Sequence, residues 1–260
     1  MQTKLSKKLY QKTFKHYDNF KDDDKIVGGH PILFFGDLEK YFESVKKVVT
    51  IGINPSFNEF EENRFRKNIK TPYSLEHSLC NYFRRDKGRN PYTNWFDNYN
   101  KYLKEFNSTF KNIPSYPNRV IHTDICSPLA TNPTWSEIER RLKDDLFNEG
   151  FEIWKDLITE LEPDFLVMAC PIKKSLKEKL FNLLDVKEID CIQTIIDKID
   201  GNPRKPHNIF KLTFNSISIN NFPTKLIFGS ASKNVPFGSI SDDDIKSMGQ
   251  KTNNLIQQKL

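Results

Sequence analysis

The stretch VVTIGINPSF, residues 48–57, decides the fold that we predict for this chain. Its first five residues are uncharged and rich in β-branched side chains, which is typical of a strand buried on both faces. The strand ends abruptly at Asn54, Pro55 and Ser56, and residues of these types usually form turns. Strands of this kind belong to parallel sheets covered by helices, so this one would fix Asn54 and Ser56 at its carboxyl end.

Further strands of the same character alternate with helical patterns along the chain. The segments predicted as strands are RVIHTDI, DFLVMA and TKLIFG, with IFKLTF as an added edge strand, at residues 119–125, 164–169, 224–229 and 209–214. A long helix is predicted after the capping box of Ser136 and Glu139, with Gly150 as a candidate break. We therefore predict an α/β fold, a three-layer α/β/α sandwich with a central four-stranded, mainly parallel sheet.

We interpret the 260 residues as a single domain. It would include a helical N-terminal extension, residues 1–45, and a basic and aromatic insertion, residues 61–112. Ligands of parallel α/β sheets bind at the carboxyl ends of the strands. Four loops would therefore surround a site, at residues 54–60, 124–131, 170–173 and 230–238.

Composition limits the classes of partner. The net charge of +6 favours an anionic partner such as nucleic acid. No run of about 18 apolar residues could span a membrane, and the charged N-terminus lacks the apolar core of a signal peptide, so a cytoplasmic protein is expected. The four cysteines show no C-x-x-C spacing and the five histidines are scattered, so neither a metal nor a cofactor is expected. His122, inside the second strand, is interpreted as a core residue.

The strand-end loops lack the usual motifs of nucleophilic or phosphate-binding sites. The sequence contains no G-x-S-x-G, G-x-x-x-x-G-K-[ST] or G-x-G-x-x-G motif. The loops carry amide, hydroxyl, carboxylate and aromatic side chains instead. This set suits the recognition of a flat polar heterocycle better than attack by a strong base.

Four segments, taken in order, resemble motifs of the uracil-DNA glycosylase superfamily, closest to its mismatch-specific and single-strand-selective branches. They are GINPS, VIHTDICSPLAT, LFNEGFEIWKDLITELEPDFLVMACP and KLIFGSAS, which begin at residues 52, 120, 146 and 225. The resemblance covers about residues 45–240. It implies a DNA glycosylase that flips a damaged or modified base, in single- or double-stranded DNA, and hydrolyses its N-glycosidic bond without a metal or redox cofactor.

The first of these motifs would bind the substrate and catalyse its hydrolysis. The resemblance implies that the carbonyl of Asn54 orients the attacking water and that Ser56 bonds a phosphate beside the target. Phe57 or Phe60 would stack on the flipped base. Each role has a plain alternative: an Asn-Pro turn, a serine capping the next helix, or aromatic packing in a loop. The rest of the motif, also assigned to substrate binding, is Gly52, Ile53 and Pro55.

Asp124 occupies a position where the family often carries an asparagine that reads the base. An ionised aspartate only accepts hydrogen bonds, so it would repel O4 of uracil but accept from the exocyclic amine of cytosine. Its second oxygen would face N3 of cytosine, a contact that needs a shared proton and is helped by a pKa raised by burial. We predict a catalytic role and a cytosine-derived or otherwise modified base. The alternatives are that Asp124 caps the following loop or that the register differs by one residue.

The fourth segment departs from the family pattern. Residues 229–232, GSAS, stand where the family has a His-Pro-Ser motif, so no imidazole is available there. Ser230 and Ser232 are the substrate-binding candidates in this segment. Val235, Pro236 and Phe237 would enter the gap left by the flipped base as an apolar wedge, with Lys233 beside them as a further DNA-binding candidate. The alternative is a surface loop with one buried aromatic.

The basic insertion would supply phosphate contacts with DNA. Arg84, Arg85 and Arg89 lie among aromatic residues there, although such charge runs are usually solvated surface. Two functions follow from the whole sequence. The GINPS motif favours a DNA glycosylase, whereas the missing histidine favours a catalytically inactive nucleic-acid-binding protein on the same fold.

Overall fold

The computed structural model describes residues 3–61, 69–84, 93–197, 201–205, 209–230 and 235–259. Within them the chain forms a mixed α/β structure, in which a seven-stranded, mostly parallel sheet is flanked by helices. A short 3₁₀ helix covers Lys104–Phe106. The α-helices are α1 (Lys7–Phe20), α2 (Leu38–Phe42), α3 (Asn58–Glu61), α4 (Pro72–Cys80), α5 (Thr93–Leu103), α6 (Arg140–Leu161), α7 (Lys174–Leu183) and α8 (Asp242–Lys259).

The four main strands predicted from the sequence are confirmed, and they are neighbours in the sheet. The strands are β1 (Val48–Gly52), β2 (Ser108–Thr109), β3 (Asn118–Asp124), β4 (Phe165–Met168), β5 (Lys187–Ile195), β6 (Phe210–Ile219) and β7 (Phe222–Gly229). Their order in the sheet is β2-β3-β1-β4-β7-β6-β5. The pairs β1–β4, β4–β7 and β2–β3 are parallel, and β1 and β4 are uncharged and buried throughout, which is typical of strands covered on both faces.

The predicted number of strands was wrong, because an antiparallel hairpin extends the sheet. β6 pairs antiparallel with β7 and with β5, so the segment predicted as an edge strand lies inside the sheet. Asn220 and Asn221 join β6 to β7 with φ angles of 49° and 66°, and such positive angles suit a tight two-residue hairpin turn. β5 is polar and largely exposed at the end of the sheet, so no apolar run marks it in the sequence.

Helix α6 is continuous from Arg140 to Leu161, so the predicted break at Gly150 is wrong. A Cβ atom at Gly150 would lie 2.4 Å from the carbonyl oxygen of Cys126. Glycine therefore lets the helix pack directly on the loop after β3. The helix is capped by Glu139 without a side-chain hydrogen bond, so the predicted capping box with Ser136 does not form.

The described residues group into two compact units, each built from separate segments; the single-domain interpretation stays a prediction. The first unit comprises Met1–Glu43, Gly52–Tyr92 and Val120–Glu162. In it, α1 contacts α4 and α6. Lys12 pairs with Asp156 at 2.6 Å, so the N-terminal helix is joined to α6 by an ion pair as well as by packing.

The second unit comprises Ser44–Ile51, Thr93–Arg119 and Pro163–Leu260. Tyr99, on α5, is fully buried in this unit. The Tyr99 hydroxyl donates to the carbonyl oxygen of Ile51 (3.0 Å) and accepts from the N–H of Ala169 (3.1 Å). A helix of the insertion is thus bonded to two strand segments of this unit.

No helix in the described part of the chain is both long and apolar enough to cross a membrane. Over the same residues, no three His, Cys, Asp or Glu side chains come together as a metal site would need. The cysteines are free thiols, of which Cys126 and Cys170 are buried and Cys191 is exposed.

Candidate functional site

The loops that follow β1 and β3 are hydrogen-bonded to each other in the first unit. The N–H of Ile125 donates to the carbonyl oxygen of Gly52 at 3.1 Å. The N–H of Cys126 donates to the carbonyl oxygen of Ile53 at 3.0 Å. The two loops therefore leave the sheet together, and they form the candidate site.

Asn54 is held in one orientation by three acceptors. Its Nδ2 donates to the carbonyl oxygens of Pro55 and Leu129, both at 3.1 Å, and to Oγ1 of Thr131 at 3.3 Å. Carbonyl oxygens cannot donate, so the amide nitrogen must face them and the side chain cannot be turned over. The loop after β3 thus fixes the direction of the Asn54 carbonyl.

The carbonyl oxygen of Asn54 is buried and has no hydrogen-bond partner among the described residues. A buried acceptor without a partner costs about 1–3 kcal/mol. Such an atom is satisfied when a water or a ligand donates to it. The arrangement therefore suits the binding of a donor beside this oxygen.

Asp124 lies against the end of β1. A Cβ atom at Gly52 would be 2.3 Å from Oδ1 of Asp124 and 3.0 Å from Nε2 of His122. Only glycine leaves room for these two side chains, which explains the glycine before the Ile53-Asn54 step. The sequence identified Gly52 as part of a motif, and the structure gives it this packing role.

The Asp124 carboxyl is a buried acid. Its side chain is 6% exposed, and its Oδ1 lies 4.0 Å from Nε2 of His122. Burial, together with a smaller effect of the nearby Glu59 carboxylate, raises its pKa to about 8. Burial lowers the pKa of His122 to about 3, so at neutral pH His122 is uncharged and Asp124 is protonated. A protonated carboxyl offers one donor and one acceptor.

Glu59 was not singled out in the sequence, yet it contributes to the site. It is 5% exposed on α3, and its Oε2 accepts a hydrogen bond from the Tyr82 hydroxyl at 2.6 Å. Thr131, which bonds Asn54, was also missed. The one sequence signal for these two residues was their position, since Glu59 lies within the segment 54–60 that follows β1 and Thr131 ends the VIHTDICSPLAT segment.

The remaining first-motif residues differ in accessibility. The Oγ of Ser56 accepts from the N–H of Asn58 at 3.3 Å, which is the capping alternative. Phe60 is 4% exposed and packs edge-on against His30, with a centroid distance of 5.1 Å. Phe57 is half-buried, so of the two aromatics it is the one accessible for stacking.

The candidates after β7 belong to the second unit. Ser230 is exposed and Val235 is half-buried. Phe237 is 1% exposed among the rings of Tyr99, Tyr102 and Phe210, so it would have to leave this cluster to enter DNA. The alternative of a surface loop with one buried aromatic describes this arrangement.

Of the basic candidates, the structure describes Arg84. Its side chain is 54% exposed, and its Nη2 lies 3.7 Å from Oδ2 of Asp37. A pair this exposed contributes little to stability. Arg85, Arg89, Ser232 and Lys233 lie outside the described residues.

No family model matches the chain, and the comparisons with curated proteins and with solved structures also give no match. The resemblance to the uracil-DNA glycosylase superfamily therefore rests on the four segments alone. What the site can do has to be inferred from its own geometry.

Proposed function

We propose that this protein is a DNA glycosylase that hydrolyses the N-glycosidic bond of a flipped, damaged or modified base. The observation that carries the proposal is the Asn54 side chain. Its amide nitrogen is fixed by Pro55, Leu129 and Thr131, while its buried carbonyl oxygen lacks a partner in the described residues. An oriented, unpaired acceptor of this kind suits the positioning of a water molecule.

The reaction does not need a strong general base. Cleavage of the bond between C1′ and the nucleobase nitrogen passes through an oxocarbenium-like sugar, and the bonding electrons leave with the base. Water then adds to C1′ and loses a proton to the solvent. Asn54 would accept a hydrogen bond from this water and align its oxygen with C1′, and such alignment accounts for a large part of enzymatic rate enhancement.

Asp124 would supply the proton that the departing base needs. As a neutral acid, it can donate to N3 of a cytosine-type base while its carbonyl oxygen accepts from the exocyclic amine. A neutral carboxyl turned over could also pair with uracil, but uracil N3 already carries a proton. Transfer of the Asp124 proton to N3 is therefore specific to cytosine-type bases, and it would compensate for the histidine that the fourth segment lacks.

The proposal is tested on oligonucleotides that carry a panel of damaged and modified bases, with alkaline cleavage reporting abasic sites. We expect activity on at least one modified cytosine, and Asn54→Ala should lower it on the order of a hundredfold or more. The matched control is Asn58→Ala, which removes a half-buried amide from the same loop. DNA affinity and melting temperature should stay unchanged in both variants.

Three outcomes would count against the proposal. Wild-type protein that binds DNA but cleaves no base would favour the catalytically inactive nucleic-acid-binding protein. Equal rates for Asn54→Ala and Asn58→Ala would remove Asn54 from the mechanism. A wild-type preference for plain uracil that Asp124→Asn leaves unchanged would exclude the cytosine-type substrate.

A further inference from the structure

A chain of hydrogen bonds in the first unit leads from the surface through helix α1 to the loop after β3. Oε2 of Glu149 lies 3.0 Å from Nδ1 of His16. Nε2 of His16 lies 3.2 Å from Oγ of Ser127. His16 is 1% exposed and Ser127 is completely buried, whereas half of the Glu149 side chain is exposed.

The direction of each bond follows from the chemistry of the groups. A carboxylate only accepts, so Nδ1 of His16 carries the proton that it donates to Glu149. Nε2 is then an acceptor and takes the hydroxyl proton of Ser127. Burial lowers the pKa of His16 against the opposing effect of Glu149, which agrees with the neutral ring that this pattern needs.

The same chain continues to Asn54. Oγ of Ser127 accepts the N–H of Leu129 at 3.1 Å, and the carbonyl oxygen of Leu129 accepts Nδ2 of Asn54 at 3.1 Å. His16 therefore fixes the Ser127 hydroxyl, Ser127 fixes the N–H of Leu129, and the carbonyl oxygen of the same residue holds the Asn54 amide.

Ser127, His16 and Glu149 are linked in the same order as the nucleophile, the base and the orienting carboxylate of a catalytic triad. Ser127 cannot serve as a nucleophile here, because no part of it is exposed and its oxygen is engaged by the N–H of Leu129. The geometry suits the positioning of a backbone segment.

We propose that His16 and Ser127, with Glu149, are positioning residues that align the Asn54 side chain. The inference rests on the proposed function for its catalytic consequence. It gives the N-terminal helix, which lies outside the segments that resemble the glycosylases, a specific part in the reaction.

Kinetics on the best substrate of the panel test this role. Ser127→Ala should lower kcat roughly tenfold with little change in KM, since a displaced catalytic group loses rate more than binding. In an Asn54→Ala background the same substitution should cost nothing further, whereas a merely structural effect would remain additive. Equal losses in both backgrounds would overturn the proposal.

Surface variants keep the test valid if the Ser127 variant does not fold. Glu149→Ala should also lower kcat, and Glu149→Gln should recover most of the loss because its carbonyl oxygen can accept from Nδ1 of His16. Glu152→Ala is the matched control, since it lies on the same helix and is 50% exposed beside Lys155. A loss in Glu152→Ala equal to that in Glu149→Ala would refute the specific role of Glu149.

An NMR measurement separates this proposal from the proposed function. The side-chain NH₂ resonances of Asn54 should shift in Ser127→Ala and Glu149→Ala but not in Glu152→Ala. If they shift while no base is ever cleaved, the positioning chain stands and the glycosylase proposal falls. Unmoved Asn54 resonances in both variants would overturn the chain whatever the activity.

Discussion

The loops after β1 and β7 both follow buried strands of one sheet, yet they use burial in opposite ways. The first loop and its partner after β3 bury the Asn54 carbonyl oxygen without a protein donor among the described residues, and the Asp124 carboxyl at the end of β3 is buried as well. The loop after β7 buries the ring of Phe237 among other rings, and the Phe237 N–H donates to the carbonyl oxygen of Ala169 at 2.9 Å. Buried polar groups without partners cost stability, so their retention points to function, whereas aromatic packing contributes stability.

The largest expected effect is on stability, and it tests the aromatic packing of the loop after β7. Phe237→Ala should lower the free energy of unfolding by about 3–5 kcal/mol, because it removes a fully buried ring. Denaturant titration measures the loss, and Phe237→Leu should lose less. A change below about 1 kcal/mol would mean that the ring does not belong to the core in solution and would return Phe237 to the DNA-binding candidates.

The second prediction concerns the loops after β1 and β3, and specifically how the buried Asp124 carboxyl makes stability depend on pH. The folded-state pKa of Asp124 is about 8 and its unfolded value is 3.8, so between these values the native state holds one proton more than the unfolded state. The contribution of this group is fully present below pH 3.8 and is lost as pH rises towards 8. Unfolding free energy should therefore fall with pH by up to about 1.4 kcal/mol per unit more steeply in wild type than in Asp124→Asn.

Comparison of the two proteins isolates this slope from other groups. His122 has a lowered pKa of about 3, so it makes stability rise with pH below its ordinary value, in both proteins. Denaturant titrations from pH 4.5 to 8 measure the difference. Parallel curves for wild type and Asp124→Asn would show that Asp124 is not a buried neutral acid.

The smallest expected effect concerns the surface. Arg84→Ala should change stability by less than about 0.5 kcal/mol, since its pair with Asp37 is exposed. DNA affinity should fall alike for all sequences, with a salt slope about one unit shallower, if Arg84 contacts a phosphate. Arg140→Ala, on an exposed arginine of α6, is the control. Identical affinities and slopes for both variants would assign Arg84 to solvated surface.

Local sequence patterns predicted those parts of the fold that burial marks. The strands β1 and β4 were found because short, uncharged runs dominated by apolar residues are typical of strands buried on both faces. β5 was missed because its residues alternate charge and apolar side chains on an exposed edge. The pair Asn220-Asn221 is typical of a hairpin turn, and it is the sequence signal that marks the connection of β6 to β7.

The residues of the candidate site also fall into those that local sequence patterns predicted and those that they did not. Asn54 and Asp124 were identifiable because Asn54 closely follows, and Asp124 ends, a strand that the sequence predicts. His16 was not, because it meets Ser127 across 111 residues and only the packing of α1 brings them together. Periodicity in a single sequence indicates helices and strands, but it does not indicate which residues far apart in the chain come into contact. The protonated state of Asp124 likewise depends on burial, which becomes visible once Gly52 and His122 are placed around it.

The outermost strand of the sheet bears on how the protein behaves at high concentration. β5 ends the described sheet, and its pairing with β6 shifts register twice, between Glu188 and Asp190 and between Cys191 and Gln193. Irregular, charged edges are poor templates for strands of other molecules, so they oppose edge-to-edge aggregation. The free, exposed thiol of Cys191 lies on this same strand. Colloidal losses during storage should therefore come from intermolecular oxidation at Cys191 before they come from strand addition, and a reducing agent should suppress them.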